Sequence, residues 1–211
     1  MWSQKNGFAI RSGSEWNAEF DLGTDPTTGA AHTATAVAVS KGRAYVAWCG
    51  PCNNSGFSRG IATGILGDPS SWKQLALGST VPNRYIGGVT IDPTNSDHAY
   101  AVFSSFSRNW TEGPGAGVGH VYETTNAGTT WTDISTNLPD VPTNSIKRLS
   151  NGTLVVGTDL GVAVRPAGQT QWKKLGSGLP LTVVTDVELG PDGKVYAATF
   201  GRGLWATRLV G

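Results

Sequence analysis

Three tryptophans recur in the same surroundings, and that recurrence limits the fold more than any other feature of this 211-residue chain. Trp72 opens Trp-Lys-Gln-Leu, Trp131 opens Trp-Thr-Asp-Ile and Trp172 opens Trp-Lys-Lys-Leu. A proline-containing connection follows each: Thr80-Val81-Pro82, Leu138-Pro139-Asp140 and Leu179-Pro180-Leu181. Next come a short apolar run (88–91, 145–149, 186–189) and a turn (92–95, 151–152, 191–193). A second run follows (99–102, 154–157, 195–198), then a third opened by glycine (119–122, 161–164, 203–206). An earlier copy passes through 35–39, 43–48 and 60–65 before reaching Trp72. The runs have strand length and favour β-branched and aromatic residues, and the breaks between them favour Gly, Pro, Asn and Asp. With 29 glycines and 11 prolines, the chain is equipped for turns at this density.

Each unit is therefore three strands and a fourth opened by tryptophan. A lone four-stranded meander leaves both its faces wet. Radial stacking of such sheets covers them, and the repeat length of roughly 40–60 residues suits propeller blades. The expectation is an all-β chain, one domain over 1–211, built as a small β-propeller of about four to five four-stranded antiparallel blades. The blades are out of phase with the chain. The runs 7–11 and Glu15-Trp16 read as strands three and four of a blade, while the last unit has three strands and no fourth. Two arrangements follow. The segment around Trp16 closes a ring, giving a monomer, or the propeller is partial and is completed elsewhere, for instance in a homodimer. An unpaired blade edge invites association, so some closure is expected.

Thr124-Thr125-Asn126-Ala127-Gly128-Thr129-Thr130-Trp131 resembles the Asp-box, Ser/Thr-x-Asp-x-Gly-x-Thr-Trp, with Asn126 in the Asp place. Residues 66–72 and 167–172 look like degraded copies, and the passage 198–205 is similar to the last blade of BNR-repeat propellers in secreted bacterial proteins. The resemblance implies propeller blades and an extracellular or periplasmic location. The family's xyloglucan hydrolases set two acids across a cleft between two larger propellers, which about four blades cannot form. Its sialidases use an arginine cluster and a tyrosine nucleophile, for which Arg84-Tyr85 is a single suggestive pair. The Asp-box itself reads as a capped turn between outer strands, far from any central channel.

Several function classes are disfavoured. Charged residues make up 15% of the chain, the net charge is +1, and no basic stripe points to nucleic acid. No stretch approaches the ~18 apolar residues of a membrane helix. The first residues lead into a strand pattern without an apolar core, so no signal peptide is read in this chain. Nucleophile elbow, P-loop and dinucleotide fingerprint are missing. Trp48-Cys49-Gly50-Pro51-Cys52 matches the thioredoxin motif, but an activated thiolate needs a helix N-terminus and none is patterned here. These two cysteines read as a loop staple or as free thiols. Of the histidines, His98 reads as a surface turn residue, and His120 as a possible acid or base beside the glycine-rich run 113–119.

In a propeller, loops that join blades and loops that join strands two and three converge on one face. That places Asn83, Arg84, Tyr85, Asp140, Asn144, Asp159 and Asp186 together. The leading expectation is a hydrolase of a small ester or lactone at the channel mouth, with Asp186, Asp140, His120, Arg84 and Tyr85 as candidate catalytic residues. Ca²⁺ would be held by oxygens of Asp140, Asp186, Asp159, Asn83 and Asn144, and would polarise the carbonyl. The alternatives are a non-enzymatic propeller that grips a carbohydrate or protein, with Trp48 and Trp110 near the binding face, or a glycoside-hydrolase-like fragment.

Overall fold

The structure, a computed structural model, describes residues 7–12, 14–52, 58–78, 81–106 and 119–209. Among them there is no helix, so none long and apolar enough to cross a membrane. Seventeen strands form five sheets among the described residues. Blade 1 is β3 (Thr33–Ser40), β4 (Arg43–Cys49), β5 (Arg59–Ile65) and β6 (Asp68–Gln74). Blade 2 is β7 (Tyr85–Ile91), β8 (Ala99–Ser104), β9 (Val121–Thr124) and β10 (Thr132–Asp133). Blade 3 is β11 (Thr143–Arg148), β12 (Leu154–Thr158), β13 (Gly161–Arg165) and β14 (Lys173–Lys174). Blade 4 is β15 (Val184–Leu189), β16 (Lys194–Thr199) and β17 (Gly203–Arg208), with no fourth strand among the described residues. Each is an antiparallel meander in chain order, which short turns dictate.

The first strands stand side by side: β3 beside β7, β7 beside β11, β11 beside β15. Between each pair of blades lies one apolar layer. Tyr45, Ile61 and Phe103 fill the first, Tyr100, Val121 and Leu154 the second, and Val155, Val164 and Val187 the third. The residues that face the next blade follow the strand period of two. Val37 and Val39 alternate with the inward Ala36 and Ala38 and remain exposed on the outer side of blade 1.

The row of blades does not close. A hairpin of β1 (Gly7–Ser12) and β2 (Glu15–Asp21) forms its own two-stranded sheet and packs on β6 and β3. There Phe20 stacks on Trp72 at 5.3 Å, and Leu22 joins Val46 and Ala62 in a fourth core. Of the two expected arrangements, the partial propeller is the one observed. The segment around Trp16 is already paired with β1, so it does not complete blade 4.

One irregularity recurs. Every first strand carries a bulge at the same register: between Ala34 and Ala36, Ile86 and Gly88, Thr143 and Ser145, and Val184 and Asp186. In blades 1, 2 and 3 the extra residue turns away from its own ladder toward the following blade. Thr35 donates to the Ile86 carbonyl at 2.9 Å, and Asn144 donates to the Val184 carbonyl at 3.1 Å. At the bulge of blade 2 the residue is Gly87, and a side chain there would meet the Asn144 carbonyl at 2.8 Å. Glycine lets the two backbones touch where the bulges of blades 1 and 3 reach across with a side chain.

The Asp-box-like turn between β9 and β10 is self-capped. The Thr124 hydroxyl accepts from the Gly128 N–H at 2.9 Å and donates to Asn126 Oδ1 at 3.0 Å. Asn126 Oδ1 also accepts from the Thr130 N–H at 2.9 Å. Asparagine thus closes the turn, and Trp131 sinks into the layer between blades 1 and 2.

Candidate functional site

Strand direction brings the start of each first strand, the end of each second and the start of each third to one end of the row. Asn83, Arg84, Tyr85, His120, Asp140, Asn144, Asp159 and Asp186 all lie at that end. Two hydrogen-bonded groups stand out among them.

The first group is a buried chain of carboxylate, imidazole and guanidinium. His120, fully buried just before β9, places Nε2 3.0 Å from Asp140 Oδ1. Its Nδ1 lies 3.2 Å from Arg84 Nη1 and 3.2 Å from the Phe103 carbonyl. A guanidinium can only donate, so Nδ1 accepts from Arg84, and Nε2–H donates to Asp140. Burial, first of all, holds the imidazole pKa below its ordinary value, and the Arg84 charge works in the same direction. Contacts with Phe103 and Asp140 oppose this without prevailing. Arg84, itself buried, also donates to the carbonyls of Gly119 and Ser105. His120 is anchored from below by the Ser135 hydroxyl, which accepts its backbone N–H at 2.7 Å. The result is a neutral imidazole with both nitrogens engaged. It joins the entrance of blade 2 to the connection that leads into blade 3.

The second group centres on Asn144. Its Nδ2 donates to Asp159 Oδ1 at 2.9 Å and to the Val184 carbonyl, while its Oδ1 accepts from the Ser104 hydroxyl at 2.8 Å. One amide thereby ties blades 2, 3 and 4. Asp186 is exposed, and its Oδ1 accepts the backbone N–H of Val187 at 2.9 Å. Tyr85 is 41% exposed, and partial burial raises its phenol pKa above the ordinary value.

Ca²⁺ takes six to eight oxygen ligands. Of the five expected ligands, Asp140 is bonded to His120, the Asn144 oxygen to Ser104, and Asp159 to the Asn144 amide. Among the described residues, no three His, Cys, Asp or Glu side chains gather. This arrangement does not fit the ion, and no chemical step is routed through one.

Other sequence candidates have structural settings. Cys49 and Cys52 are joined in a disulfide at the end of β4, and the next described element is the strand β5. Trp48 is buried and stacks on His32 at 3.8 Å rather than facing a ligand. Trp110 and most of the glycine-rich run 113–119 lie outside the described residues. His98 is not a bare surface residue. It sits 2.7 Å from Glu123 and 3.3 Å from Asp92, which also pairs with Arg148 at 2.7 Å across blades 2 and 3.

The feature that residue-by-residue reading missed is apolar. Among the described residues, nine large hydrophobic side chains are exposed. Tyr85, Phe106, Leu160, Leu181 and Phe200 are all at the end just described, and the other four lie on the outer blades. Leu181 and Phe200 are 74% and 77% exposed. Their segments are tied together, because the Phe200 N–H donates to the Val183 carbonyl at 2.9 Å. The signal was in the sequence: Leu160, Leu181 and Phe200 each stand in a connection where turn residues would otherwise be found.

Radially stacked meanders with one loop-bearing end define a β-propeller, here an open arc of one. No protein-family model matches the chain, and neither does any curated protein. Solved structures do. YCF48 bound to D1 peptide shares 15% identity at a TM-score of 0.59, over 92% of this chain and 54% of that one. A gluconolactonase from Xanthomonas campestris shares 12% at 0.63, over 98% and 66%. The GH74 xyloglucanase from the same organism shares 13% at 0.59, over 82% and 29%. The chain thus spans between about a third and two thirds of these proteins' lengths. At such identities the likeness is one of fold.

Proposed function

We propose that this propeller segment is a binding module and that its apolar, loop-bearing end grips a protein segment. The observation that carries the reading is the gathering of Tyr85, Phe106, Leu160, Leu181 and Phe200 at one end of the blades. Exposed apolar side chains grouped on one side of a domain mark interaction surfaces. Four of the five are aliphatic or phenyl groups, two of them on loops tied to each other, and these suit apolar protein side chains better than sugar rings, the usual companions of Trp and Tyr. The Arg84–His120–Asp140 chain and the Asn144 bridge give this end a rigid floor, which lowers the ordering cost of binding.

Hydrolysis of a small ester or lactone is the competing reading. It asks His120 to take up a proton, yet His120 is enclosed and its Nδ1 is occupied by Arg84. The test is selection of a displayed peptide library, beside a glycan array, on the wild-type chain and on Leu181→Ser/Phe200→Ser. Peptides enriched on the wild type and lost on the variant are expected. Turnover of a lactone panel that disappears in Asp140→Asn, with no peptide enrichment, would overturn the proposal.

A further inference from the structure

The Cys49–Cys52 disulfide joins residues only three apart in sequence, and the fold around it is held by other contacts. Cys49 is the last residue of β4 and is paired on both sides, with Thr33 of β3 and with Arg59 of β5. Gly50 is held as well. Its N–H donates to the Ser58 carbonyl at 3.0 Å, and its own carbonyl accepts from the Ser58 hydroxyl. The His32 ring lies so close that it leaves no room for a Cβ on Gly50. That ring is fixed in turn by its stack on Trp48 and by the Leu22 carbonyl, 2.7 Å from Nδ1. Across the ladder, Arg59 is anchored by donating to the carbonyls of Val81 and Pro82. A cross-link over so short a span restrains the unfolded chain little, and one of its two residues is already fixed by the sheet. The bond therefore adds little to the fold, which leaves it open to another use.

The two sulfurs are unequal. Cys49 is 1% exposed, whereas Cys52 is exposed. In thiol–disulfide exchange a thiolate attacks one sulfur and the electron pair leaves on the other, so access decides which sulfur is attacked. Solvent reaches Cys52, and the sheet covers Cys49.

We infer that Cys52 is a thiol-exchange site, where small-molecule thiols add reversibly to the chain and the buried Cys49 expels them. An incoming thiolate bonds to Cys52 Sγ, the Cys49–Cys52 bond breaks, and Cys49 takes the electron pair and then a proton from water. Burial makes the Cys49 thiolate costly, and Cys52 stays within its reach. The return attack on Cys52 reforms the disulfide and releases the small thiol. A dithiol carries the sequence forward. Its second thiolate attacks its own sulfur in the mixed disulfide, a cyclic disulfide departs, and Cys52 takes the electron pair and a proton. The dithiol is then oxidised by two electrons and the chain reduced by two. The inference does not depend on what the loop-bearing end binds.

The experiment uses the intact oxidised chain without denaturant, with dithiothreitol and glutathione as probes. In dithiothreitol both thiols are expected to appear while the near-ultraviolet circular dichroism keeps its folded form. A brief pulse of iodoacetamide on this reduced chain, read by peptide mass, should label Cys52 roughly tenfold or more faster than Cys49, and urea should erase the preference. In oxidised glutathione, Cys49→Ser should collect a lasting mixed disulfide at Cys52, and Cys52→Ser roughly tenfold less at Cys49. The pulse on the unaltered sequence decides the matter even where a variant does not fold. A disulfide that dithiothreitol opens only in urea, or folded-state labelling of Cys49 as fast as that of Cys52, would each overturn the inference.

Discussion

The layer between blades 2 and 3 and the layer between blades 3 and 4 are built from the same repeat, yet only one is finished. In the first, Trp172 comes from a fourth strand and is buried among Ile134, Leu138 and Ile146. In the second, Trp205 comes from the third strand, is 38% exposed and walls an open cleft. The difference shows what a fourth strand does in this fold. It shields the outer edge of the sheet and also delivers the largest apolar group to the layer. The sharpest way to break the comparison is to truncate both tryptophans. Trp172→Ala is expected to cost about 3–5 kcal/mol, since it opens a cavity in a sealed layer and leaves the Ile134 carbonyl without its indole donor. Trp205→Ala, in a layer already wet, is expected to cost about 1 kcal/mol or less on the scale of a partly exposed group. Urea unfolding of the two variants checks this, and equal costs would mean that the two layers are equally closed.

The two ends of the finished layer also differ, in how they titrate. At the loop-bearing end His120 prefers to be neutral, with its pKa held below the ordinary 6.5, chiefly by burial. As pH falls through about 6.5, the unfolded chain takes up a proton that the folded chain refuses, so stability falls with it. At the opposite end, burial would raise the Asp92 pKa, but hydrogen bonds from Thr94 and the charges of Arg148 and His98 outweigh it and hold the pKa below 3.8. That carboxylate's contribution is complete above its ordinary pKa and is lost only as pH falls below about 3.8 toward its folded value. His120→Gln is expected to flatten the stability profile between neutrality and pH ~5, at a constant cost of about 2 kcal/mol for the broken network. Asp92→Asn should lower stability by a constant amount above pH ~4, where the carboxylate's contribution is complete, and flatten only the acid limb. Thermal melts across pH, with the wild type alongside, separate the two, and an unchanged slope in His120→Gln would place the proton elsewhere.

How much of this was legible in the sequence depends on which contacts are periodic. Strand positions follow from alternation and turn residues, so 99–102 and 154–157 were read within one or two residues of β8 and β12. The separate hairpin was not resolved from closure. Gly7 and Trp16 carry the same strand pattern whether they complete blade 4 or lean on blade 1, and Phe20 on Trp72 decides it. Of the candidate site, residue types and face were readable, because connection order alone brings 84, 120 and 140 to one end. That Arg84 would occupy the imidazole nitrogen was not, since it depends on distances of a few tenths of an ångström. The shared bulge was equally silent. A single extra residue in a first strand leaves no trace in a pattern of period two, except that residues on either side change face.

That bulge supplies the finest test of the finished and unfinished layers. Thr35 and Thr185 occupy the same register in blades 1 and 4. Thr35 reaches the next blade, donating to the Ile86 carbonyl, whereas Thr185 turns back to the Ala198 carbonyl of its own sheet at 3.2 Å. Replacing either hydroxyl with a methyl preserves shape and removes one hydrogen bond. Thr35→Val leaves the Ile86 carbonyl without that donor inside a packed layer and is expected to cost about 1 kcal/mol. Thr185→Val acts on an exposed residue and is expected to stay within about 0.5 kcal/mol of wild type. Urea unfolding of the two variants checks this, and equal costs would mean that the Thr35 hydroxyl ties its blade to the next no more than the Thr185 hydroxyl does.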